Sequence, residues 1–455
     1  SGGNSGLFMS LTGNNILGGA SGQSTGYDID QSLRFGDGYL RKSFSSGTNP
    51  DKLTISCWVK PANFGNAART LFYGYTDANN YEKVVWNANG NIYWSRKVSG
   101  STSFEAYSSM VFRDPASWYH LVLVYDSTDV TTSSRIKFYV NGVLQTKSVD
   151  SPTPPTNLDS LLLSASCSIG DDELDAGTYG RFESYMAECH AIDGQALTPA
   201  SFGETNSATN QWVPTKYAGS YGTNGFYLKF QDSSALGDDS SGNTNDFTAT
   251  NLVATDQVLD SPTLNYCTMN PIDSNGSIAS SEGNLKVTTT STDPRMNATF
   301  QIPSTGKWYW EFLMQYSTSM MIGVIDQSRS GNAYEGNQSV LYSSGLGTKY
   351  NFSSVASYGA TWTTGDLMGV AFNRDDNEIT FYKNNSAQPT LTIGGTAAQR
   401  ARLMPMIGTG TDGTGGGTFN FGQDSSFAGA KTAQGNGDDG EDFYYTPPTG
   451  YKALN

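Results

Sequence analysis

The chain has 455 residues, which is enough for two domains of ordinary size, each with its own buried core. Glycine is frequent (51 residues) and aromatic residues make up 12% of the chain, a composition that argues against disorder and favours short strands joined by glycine-rich turns. The 27 basic and 42 acidic residues give a net charge of −15, which disfavours nucleic acid and anionic membranes as partners.

Residues 1–26 form a segment rich in glycine, serine and asparagine. This composition predicts a flexible arm, and the apolar stretch Leu7–Leu11 suggests that the arm becomes ordered by docking on a neighbouring protein. No basic region followed by an apolar run marks a secretory signal, and no apolar run approaches the roughly 18 residues that span a bilayer. We therefore expect a soluble protein without membrane insertion.

Strand patterns follow the arm. Leu53–Val59 alternates apolar and polar residues and is ended by Pro61. Trp118–Tyr125 is apolar on both faces, which is typical of a central strand between two packed layers. Arg135–Val140 then runs into Asn141-Gly142, a dipeptide that is the strongest short signal for a β-hairpin.

A further strand is predicted over Phe182–Ile192, after which the pattern becomes irregular. We interpret residues 216–299, which several prolines interrupt, as a connector that packs on the sandwiches and contains a few strands such as Phe226–Phe230. A second strand-rich block follows, and its clearest predicted strands are Lys307–Met314, Leu367–Phe372 and Glu378–Lys383.

The two blocks share one sequence device, since Arg135–Gly142 and Glu378–Asn385 both read charged-Ile-polar-Phe-Tyr-x-Asn and end in a turn. We therefore predict an all-β protein with two antiparallel β-sandwiches of the lectin-like jelly-roll type in tandem, joined by an irregular connector. The predicted segments are an N-terminal arm (1–26), a first sandwich (27–215), the connector (216–299), a second sandwich (300–425) and a C-terminal extension (426–455).

The chain offers little catalytic chemistry. Its two histidines, His120 and His190, lie in predicted strands between apolar residues, so we interpret them as buried structural residues. The nearest carboxylate pair for glycoside hydrolysis is Glu173 and Asp175. It follows the Glu-x-Asp-x-x-Glu pattern of laminarinase-type hydrolases only until Thr178, which replaces the last carboxylate. We therefore predict that the protein is not an enzyme.

Calcium is the one cofactor that the loops suggest, because hard cations bind carboxylate and carbonyl oxygens in loops. The candidate ligands are Asp171 and Asp172 in one loop, and Asp239, Asn243 and Asp246 in another. Asx-rich stretches of this kind also cap their own turns, and this second interpretation stays open. No other cofactor is expected.

Two further sets of residues bear on structure and function. Four cysteines without a CxxC pair are interpreted as buried apolar side chains: Cys57, Cys167, Cys189 and Cys267. Four tyrosines in glycine- and asparagine-rich loops are candidates for stacking on sugars or contacting proteins, although they equally suit core and turn positions: Tyr334, Tyr342, Tyr350 and Tyr358.

Each half resembles a known domain family. Residues 27–215 resemble the laminin-G-like, concanavalin A-like domain, through Ser117–Asp126, Lys137–Gly142 and Ile192–Leu197. Residues 300–425 are similar to a SPRY domain, through Gly306–Glu311, Gly365–Phe372 and Thr380–Asn384. In the SPRY family a glycine usually follows, and here Asn385, which also tolerates positive φ, takes its place.

The phrases that link the domains are more specific than either domain. They are similar to segments of large virion proteins of marine and aquatic tailed phages: Phe202–Thr205, Gly222–Phe226, Asn265–Pro271 and Pro447–Asn455. This resemblance implies a virion protein such as a tail fibre, a tail-tip component or a capsid decoration, assembled in the host cytoplasm.

The sequence thus leads us to expect a non-catalytic virion-surface protein that binds host-surface glycan or protein through sandwich loops. We expect it to contact other virion proteins through its N-terminal arm and to be a homo-oligomer in the particle. Two alternatives stay open: a polysaccharide depolymerase of the virion, and a purely architectural protein that cements the capsid or tail. No heptad repeat is present, so the chain cannot build a coiled-coil shaft by itself.

Overall fold

The structure of the protein is a computed structural model that describes residues 26–45, 51–62, 67–171, 180–290, 293–317, 319–328, 338–352, 354–410, 413–438 and 440–455. Within these ranges nearly every regular element is a β-strand. The one α-helix described, α1, has four residues, Ala397–Arg400. The predicted all-β class with two antiparallel sandwiches is confirmed.

In chain order, the described strands of the first half are β1 (Ser32–Arg34), β2 (Tyr39–Ser43), β3 (Lys52–Lys60), β4 (Arg69–Asp77), β5 (Asn80–Trp86), β6 (Ile92–Val98), β7 (Ser101–Ser108), β8 (Tyr119–Asp126), β9 (Ile136–Val140), β10 (Val143–Leu144), β11 (Lys147–Asp150), β12 (Ser166–Ile169), β13 (Tyr185–Asp193), β14 (Gly203–Thr205), β15 (Trp212–Pro214), β16 (Phe226–Leu228), β17 (Thr248–Thr250) and β18 (Gln257–Val258). Single 3₁₀ turns lie at Thr132–Ser134, Pro199–Ser201 and Ala254–Asp256.

The described strands of the second half are β19 (Met269–Asn275), β20 (Ile278–Ser281), β21 (Lys286–Thr290), β22 (Arg295–Ala298), β23 (Lys307–Ser317), β24 (Met320–Asp326), β25 (Ser339–Ser343), β26 (Thr348–Asn351), β27 (Ser354–Ser357), β28 (Leu367–Asn373), β29 (Glu378–Lys383), β30 (Ser386–Ala387), β31 (Leu391–Thr392), β32 (Leu403–Thr409), β33 (Thr414–Asn420) and β34 (Lys452–Ala453).

Each half packs two sheets face to face. In the first sandwich, sheet 1 has the order β10-β9-β8-β3-β13-β1-β18, with β16 also paired to β13, and sheet 2 has the order β11-β7-β6-β5-β4-β12-β2-β17. In the second sandwich, sheet 3 is β19-β22-β32-β24-β25-β26-β27. Sheet 4 is β20-β21-β33-β23-β28-β29-β30, with β31 beside β29 and β34 beside β23. The hairpin β14-β15 stands apart from these four sheets.

Strand β3 shows why the sequence folds in this way. Its alternating side chains Leu53, Ile55, Cys57 and Val59 enter the core of the first sandwich, so the residues between them face outward. Strand β8, predicted as central, lies between β9 and β3. Its outward residues are also buried because β8 is covered on both faces.

The two predicted hairpins are present and use the same backbone device. Asn141 and Gly142 have φ values of 48° and 78° between β9 and β10, and Asn384 and Asn385 have φ values of 46° and 65° between β29 and β30. Gly142 is required for a second reason, because a Cβ there would lie 2.4 Å from the ring of Trp212. Asparagine thus supplies the positive φ that the SPRY-like turn needs.

Residues 216–299, interpreted from the sequence as a connector, also supply strands to both sandwiches. Strands β16, β17 and β18 extend sheets 1 and 2, and strands β19 to β22 belong to sheets 3 and 4. The strand predicted at Phe226–Phe230 is present as β16. Strands β17 and β18 have only three and two residues, too few to show a period of two in the sequence.

The C-terminal segment lies on the outer face of sheet 4. The carboxylate of Glu311 on β23 accepts hydrogen bonds from the backbone nitrogens of Tyr444 and Tyr445, both at 2.8 Å. Burial raises the pKa of Glu311 to about 7, against the hydrogen bonds that favour its charged form. Strand β34 then pairs in parallel with β23, so the last residues complete the second sandwich.

The two sandwiches meet through buried charges. Arg34 on β1 is fully buried, and its Nη1 donates to Oδ2 of Asp424 in the second sandwich at 2.8 Å. Its Nη2 reaches Oδ1 of Asp256 at 3.4 Å, and its Nε lies 3.8 Å from Oε2 of Glu282. One cation of the first sandwich thus faces three carboxylates that arrive from later in the chain.

A second buried contact lies beside the first. Nζ of Lys60, at the end of β3, donates to Oδ2 of Asp260 at 2.7 Å and to the carbonyl oxygen of Tyr266 at 2.6 Å. The other oxygen of Asp260 accepts from Nε1 of Trp118 at 3.0 Å. Tyr185 donates to the carbonyl oxygen of Gly283 at 2.7 Å. Burial of these polar groups makes their pairing specific, and it fixes how the two sandwiches are oriented.

Replacing Arg34 by methionine should destabilise this junction strongly. The substitution leaves the buried carboxylates of Asp424 and Asp256 without their cation, which typically costs about 3–5 kcal/mol. We expect the two sandwiches to unfold in separate transitions in differential scanning calorimetry. The control is Arg181→Gln, because Arg181 is a half-buried arginine whose ion pairs are 3.9 and 4.0 Å long. One unchanged transition in R34M would contradict this account of the junction.

Candidate functional site

The outer face of sheet 2 carries a row of tyrosines, which we call the tyrosine face. The pairing of β2, β12, β4, β5, β6 and β7 places six rings on the side of the sheet that points away from the core: Tyr39, Tyr73, Tyr75, Tyr81, Tyr93 and Tyr107. None of the described hydrophobic clusters contains any of these rings, whereas their strand neighbours Phe72, Val84 and Trp94 lie in the core.

The rings contact one another across the strands. The ring of Tyr73 lies 6.1 Å from that of Tyr75 and 5.8 Å from that of Tyr81, measured between centroids. Tyr93 and Tyr107 stack at 4.4 Å with an interplanar angle of 29°. Tyr73 and Tyr93 are buried, while Tyr75, Tyr81 and Tyr107 are half-buried. Only the three half-buried side chains therefore reach the surface in part.

Cationic side chains lie among these rings. Nζ of Lys83 is 5.5 Å from the centroid of Tyr81 and 5.8 Å from that of Tyr93, and Nζ of Lys97 is 5.3 Å from the centroid of Tyr81. At the other end of the face, the guanidinium of Arg41 lies 4.7 Å from the ring of Tyr39. These cation–π contacts place the ammonium and guanidinium groups over the faces of the tyrosine rings.

The outer face of sheet 1, unlike that of sheet 2, packs against other parts of the chain. Its β1 and β3 residues make the junction with the second sandwich, and the hairpin β14-β15 brings Trp212 onto its middle. There the ring of His120 stacks on Trp58 at 4.7 Å, and Nε1 of Trp212 donates to Nδ1 of His120 at 2.9 Å. An indole nitrogen can only donate, so Nε2 of His120 carries the proton and donates to Oγ of Ser56 at 2.8 Å.

The second histidine lies in a related cluster on the same face. The ring of His190 stacks on Tyr227 at 4.2 Å, and its Nδ1 is 3.0 Å from the hydroxyl of Tyr221. Glu188, held at a φ of 49° in a bulge of β13, accepts 2.6 Å hydrogen bonds from the hydroxyls of Tyr27 and Tyr227. Both histidines are therefore buried, and each imidazole has hydrogen-bond partners within the fold.

The described tyrosines that the sequence analysis proposed for ligand binding do not lie on the tyrosine face. Tyr334 lies outside the described residues. Tyr342 is fully buried, its hydroxyl donates to the carbonyl of Ala360, and its ring meets that of Tyr358 edge-on at 5.0 Å. Tyr358 donates to the carbonyl oxygen of Pro389 at 2.6 Å. A fully buried ring cannot stack on an external sugar, so Tyr342 serves the core of the second sandwich.

Tyr350 packs against a methionine-rich cluster on the outer face of sheet 3. The cluster is formed by Met321, Met404 and Met406 with two aliphatic neighbours. Tyr350 is half-buried there, and it is the one described member of the predicted set that is neither in the core of the second sandwich nor packed against it.

The predicted calcium ligands also occupy defined places. Asp239 accepts four hydrogen bonds, three from backbone nitrogens and one from Oγ of Ser241. Oδ1 of Asp246 accepts from the backbone nitrogen of Asp239 at 2.9 Å, and Asn243 donates to the carbonyl oxygens of Gly222 and Gly225. These hydrogen bonds are the ones that the turn-capping alternative expects, in which Asx side chains bond to the backbone of their own turn.

In the other loop, Oδ1 of Asp171 lies 4.0 Å from Nε of Arg181, and Asp172 lies outside the described residues. Glu173 and Asp175 lie outside them as well. No group of three or more His, Cys, Asp or Glu side chains that could hold a metal ion occurs in the part of the chain that the structure describes. All four cysteines are buried and free, as predicted.

The sequence interpretation missed the tyrosine face, although the signal was present. In β4, β5 and β6 the outward positions read Tyr73 and Tyr75, then Tyr81 and Lys83, then Tyr93 with the next two alternate residues polar. Three successive strands with tyrosine or lysine at alternate positions predict one aromatic and cationic sheet face.

Comparisons with known proteins agree with this architecture. The model of the concanavalin A-like lectin/glucanases superfamily matches residues 35–202, and the SPRY domain model matches residues 307–424. The chain therefore carries a concanavalin A-like domain followed by a SPRY domain. No curated protein matches the chain. Among the helices that the structure describes, none is long and apolar enough to cross a membrane.

The chain is also similar to solved structures over about a third of its length. The SPRY domain of human HERC1 is 15% identical with a TM-score of 0.29, and the match covers 33% of this chain and 96% of that one. The native heptameric SAP-like pentraxin from Limulus polyphemus is 19% identical with a TM-score of 0.28, and the match covers 38% of this chain and 80% of that one.

The buried His120 makes a specific prediction about acid stability. Burial, with a contribution from His190, lowers the pKa of His120 to about 3. His120 therefore stays neutral in the folded chain at pH values below about 6.5, at which the same residue becomes protonated in the unfolded chain. The free energy of unfolding should therefore fall with decreasing pH, by up to about 1.4 kcal/mol per pH unit from this group.

Chemical denaturation of the wild type and of His120→Gln, between about pH 7.5 and pH 4.5, measures this effect. The glutamine does not titrate, so the stability advantage of the wild type should shrink as the pH falls. A constant difference across the range would show that His120 does not carry the linkage.

Proposed function

We propose that the protein is a non-catalytic glycan-binding protein whose first sandwich holds its ligand on the tyrosine face. The observation that carries the proposal is the set of half-buried rings Tyr75, Tyr81 and Tyr107 on the outer face of a rigid sheet. The buried side chains of Tyr73, Lys83 and Tyr93 pack between them and hold them in place. Sugars present apolar C–H faces that stack on aromatic rings, and their hydroxyls accept hydrogen bonds from amines and phenols.

The carboxylates of this face favour binding over hydrolysis. The central row, in register from β2 to β7, reads Arg41, Ser168, Tyr73, Lys83, Ser95 and Glu105. Glycoside hydrolysis needs two carboxyl groups on either side of the scissile bond, separated by about 5–9.5 Å. Glu105 is the one carboxylate in this row, and its strand β7 lies near the edge of the sheet.

The setting that we propose is the surface of a tailed-phage particle, assembled in the host cytoplasm. The support is the sequence resemblance of the linking phrases to virion proteins, together with two binding-type domains in one chain. In this setting the tyrosine face contacts host-surface glycan. The N-terminal arm attaches the chain to other virion proteins, and the chain is a homo-oligomer in the particle.

Alanine at Tyr81 should weaken glycan binding by about tenfold or more, because it removes a central ring and the partner of two lysines. Isothermal titration with envelope polysaccharide from the host measures the loss. The matched control is Tyr139→Ala, a half-buried tyrosine on the outer face of sheet 1. Equal affinities of Y81A and wild type would rule out this face.

The same preparation discriminates between the alternatives. A depolymerase would release new reducing ends from the polysaccharide, and a purely architectural protein would bind neither the polysaccharide nor host cells while being present in virions at fixed stoichiometry. Our proposal requires binding without the release of reducing ends.

Deletion of residues 1–26 should abolish incorporation into virions and leave glycan binding by the purified protein intact. The physical reason is that the arm supplies the attachment, whereas the ligand lies on sheet 2. Immunoblots of purified particles measure incorporation. Particles that still contain the truncated protein at the normal level would refute the role of the arm.

A further inference from the structure

The cluster around Glu188 on the outer face of sheet 1 combines two tyrosines, a carboxylate and a histidine. Glu188 and His190 flank the core residue Cys189 on β13, so both side chains lie on the outer face. Tyr227 on β16 pairs in register with His190, and Tyr27 reaches the same carboxylate from the start of the first sandwich. We infer that these four side chains form a binding site for a ferric ion.

The four donor groups lie at the separations that one metal ion requires. The hydroxyl oxygens of Tyr27 and Tyr227 are 3.0 Å apart, and each lies 2.6 Å from a different oxygen of Glu188. Nε2 of His190 lies 3.5 Å from Oε2 of Glu188. Neighbouring ligands at right angles on a metal with bonds of about 2.0–2.1 Å are about 2.9 Å apart. Small movements of these side chains are therefore enough to place all four donors around one ion.

The second nitrogen of His190 has the kind of partner that a metal-bound imidazole has. Its Nδ1 lies 3.0 Å from the hydroxyl of Tyr221, and its ring stacks on that of Tyr227 at 4.2 Å. When Nδ1 donates to this hydroxyl, the lone pair of the imidazole is on Nε2, the nitrogen next to Glu188. The hydrogen bond and the stacked ring thus hold the imidazole in the orientation that a ligand needs.

The charge of the cluster favours a cation and indicates a trivalent one. Glu188 is buried, and among the described ion pairs its partner is His190, which is charged only when protonated. Buried carboxylates are normally paired with a cation or a metal ion. Binding releases both phenol protons to the solvent, so the two phenolates and Glu188 together carry three negative charges. A ferric ion neutralises them completely, whereas calcium or zinc leaves one buried negative charge.

The donor types and the exposure of the cluster fit this ion. Phenolate and carboxylate are hard oxygen donors, imidazole suits iron, and tyrosine serves as an iron ligand in other proteins. Tyr27, Tyr221 and Tyr227 are half-buried, so the cluster borders the solvent and an ion can reach it.

Titration of the purified full-length protein with ferric nitrilotriacetate, after dialysis against a chelator, tests the site. We expect one iron per chain and a new visible absorption band, because charge transfer from phenolate to ferric iron absorbs visible light and the phenols alone do not. The ferric ion should also raise the Tm of the wild type, since a ligand of the folded state stabilises it. Calcium and magnesium at the same concentration should leave the Tm unchanged.

Three variants locate the ion. Tyr27→Phe and Tyr227→Phe each remove one phenolate and keep the ring, so each should weaken ferric binding by about a hundredfold or more and diminish the band. The matched control is Tyr217→Phe, because Tyr217 contacts the ring of His190 but donates its hydroxyl to the carbonyl oxygen of Ser220. Circular dichroism verifies that each variant is folded.

A band that is lost in Y27F and Y227F and kept in Y217F would support the inference. No ferric binding by the wild type, or equal affinity and an equal band in all three variants, would overturn it and leave the cluster as a hydrogen-bonded support of sheet 1. Because the tyrosine face lies on sheet 2, either result leaves the proposed glycan binding to its own test.

Discussion

Each strand of a sandwich has two faces, and the core takes only one of them. What a sandwich protein can do is therefore set by what covers the other face. In this protein the outer face of sheet 1 makes the junction with the second sandwich, and the outer face of sheet 4 lies under the C-terminal segment that Glu311 holds. The outer face of sheet 3 carries a buried methionine-rich cluster. Sheet 2 is the one that presents a row of tyrosines and cations.

The junction matters for function because it fixes this arrangement. A buried arginine facing three carboxylates adds little net stability over well-packed apolar residues, since desolvation offsets most of the attraction. Its contribution is to the relative orientation of the two sandwiches. Arg34 is paired only when Asp424 and Asp256 lie beside it, and Lys60 is paired only when Asp260 lies beside it. The junction thus holds the second sandwich in a fixed orientation relative to the tyrosine face.

Local patterns in the sequence predicted much of the fold. The alternation of Leu53–Val59 and the turns at Asn141-Gly142 and Asn384-Asn385 gave strands and hairpins that the structure confirms. Such features depend on neighbouring residues, so the chain displays them locally. The short strands β17 and β18 could not be predicted, because they exist only through pairing with distant parts of the chain.

The candidate site was harder to predict for the same reason. Tyr342 and Tyr358 occur in glycine-rich sequence that predicts loops, yet Tyr342 lies on strand β25 and both rings are part of the second core or pack against it. Tyr73 and Tyr81 are seen as one surface only after β4 and β5 are paired in register. The turn around Asp239 shows the same dependence, since only folding brings the backbone nitrogens of Tyr227 and Asn245 to its carboxylate. Composition identifies residue types, whereas sheet register decides which of them act together.

Hydroxyl-radical footprinting of the intact protein, with and without saturating host polysaccharide, tests the central claim directly, because mass spectrometry reads the oxidation of each tyrosine separately. The account predicts that polysaccharide protects Tyr75, Tyr81 and Tyr107 and leaves Tyr139 and Tyr350 unchanged. Protection of Tyr350 in the second sandwich, with the three rings of sheet 2 oxidised as before, would contradict it.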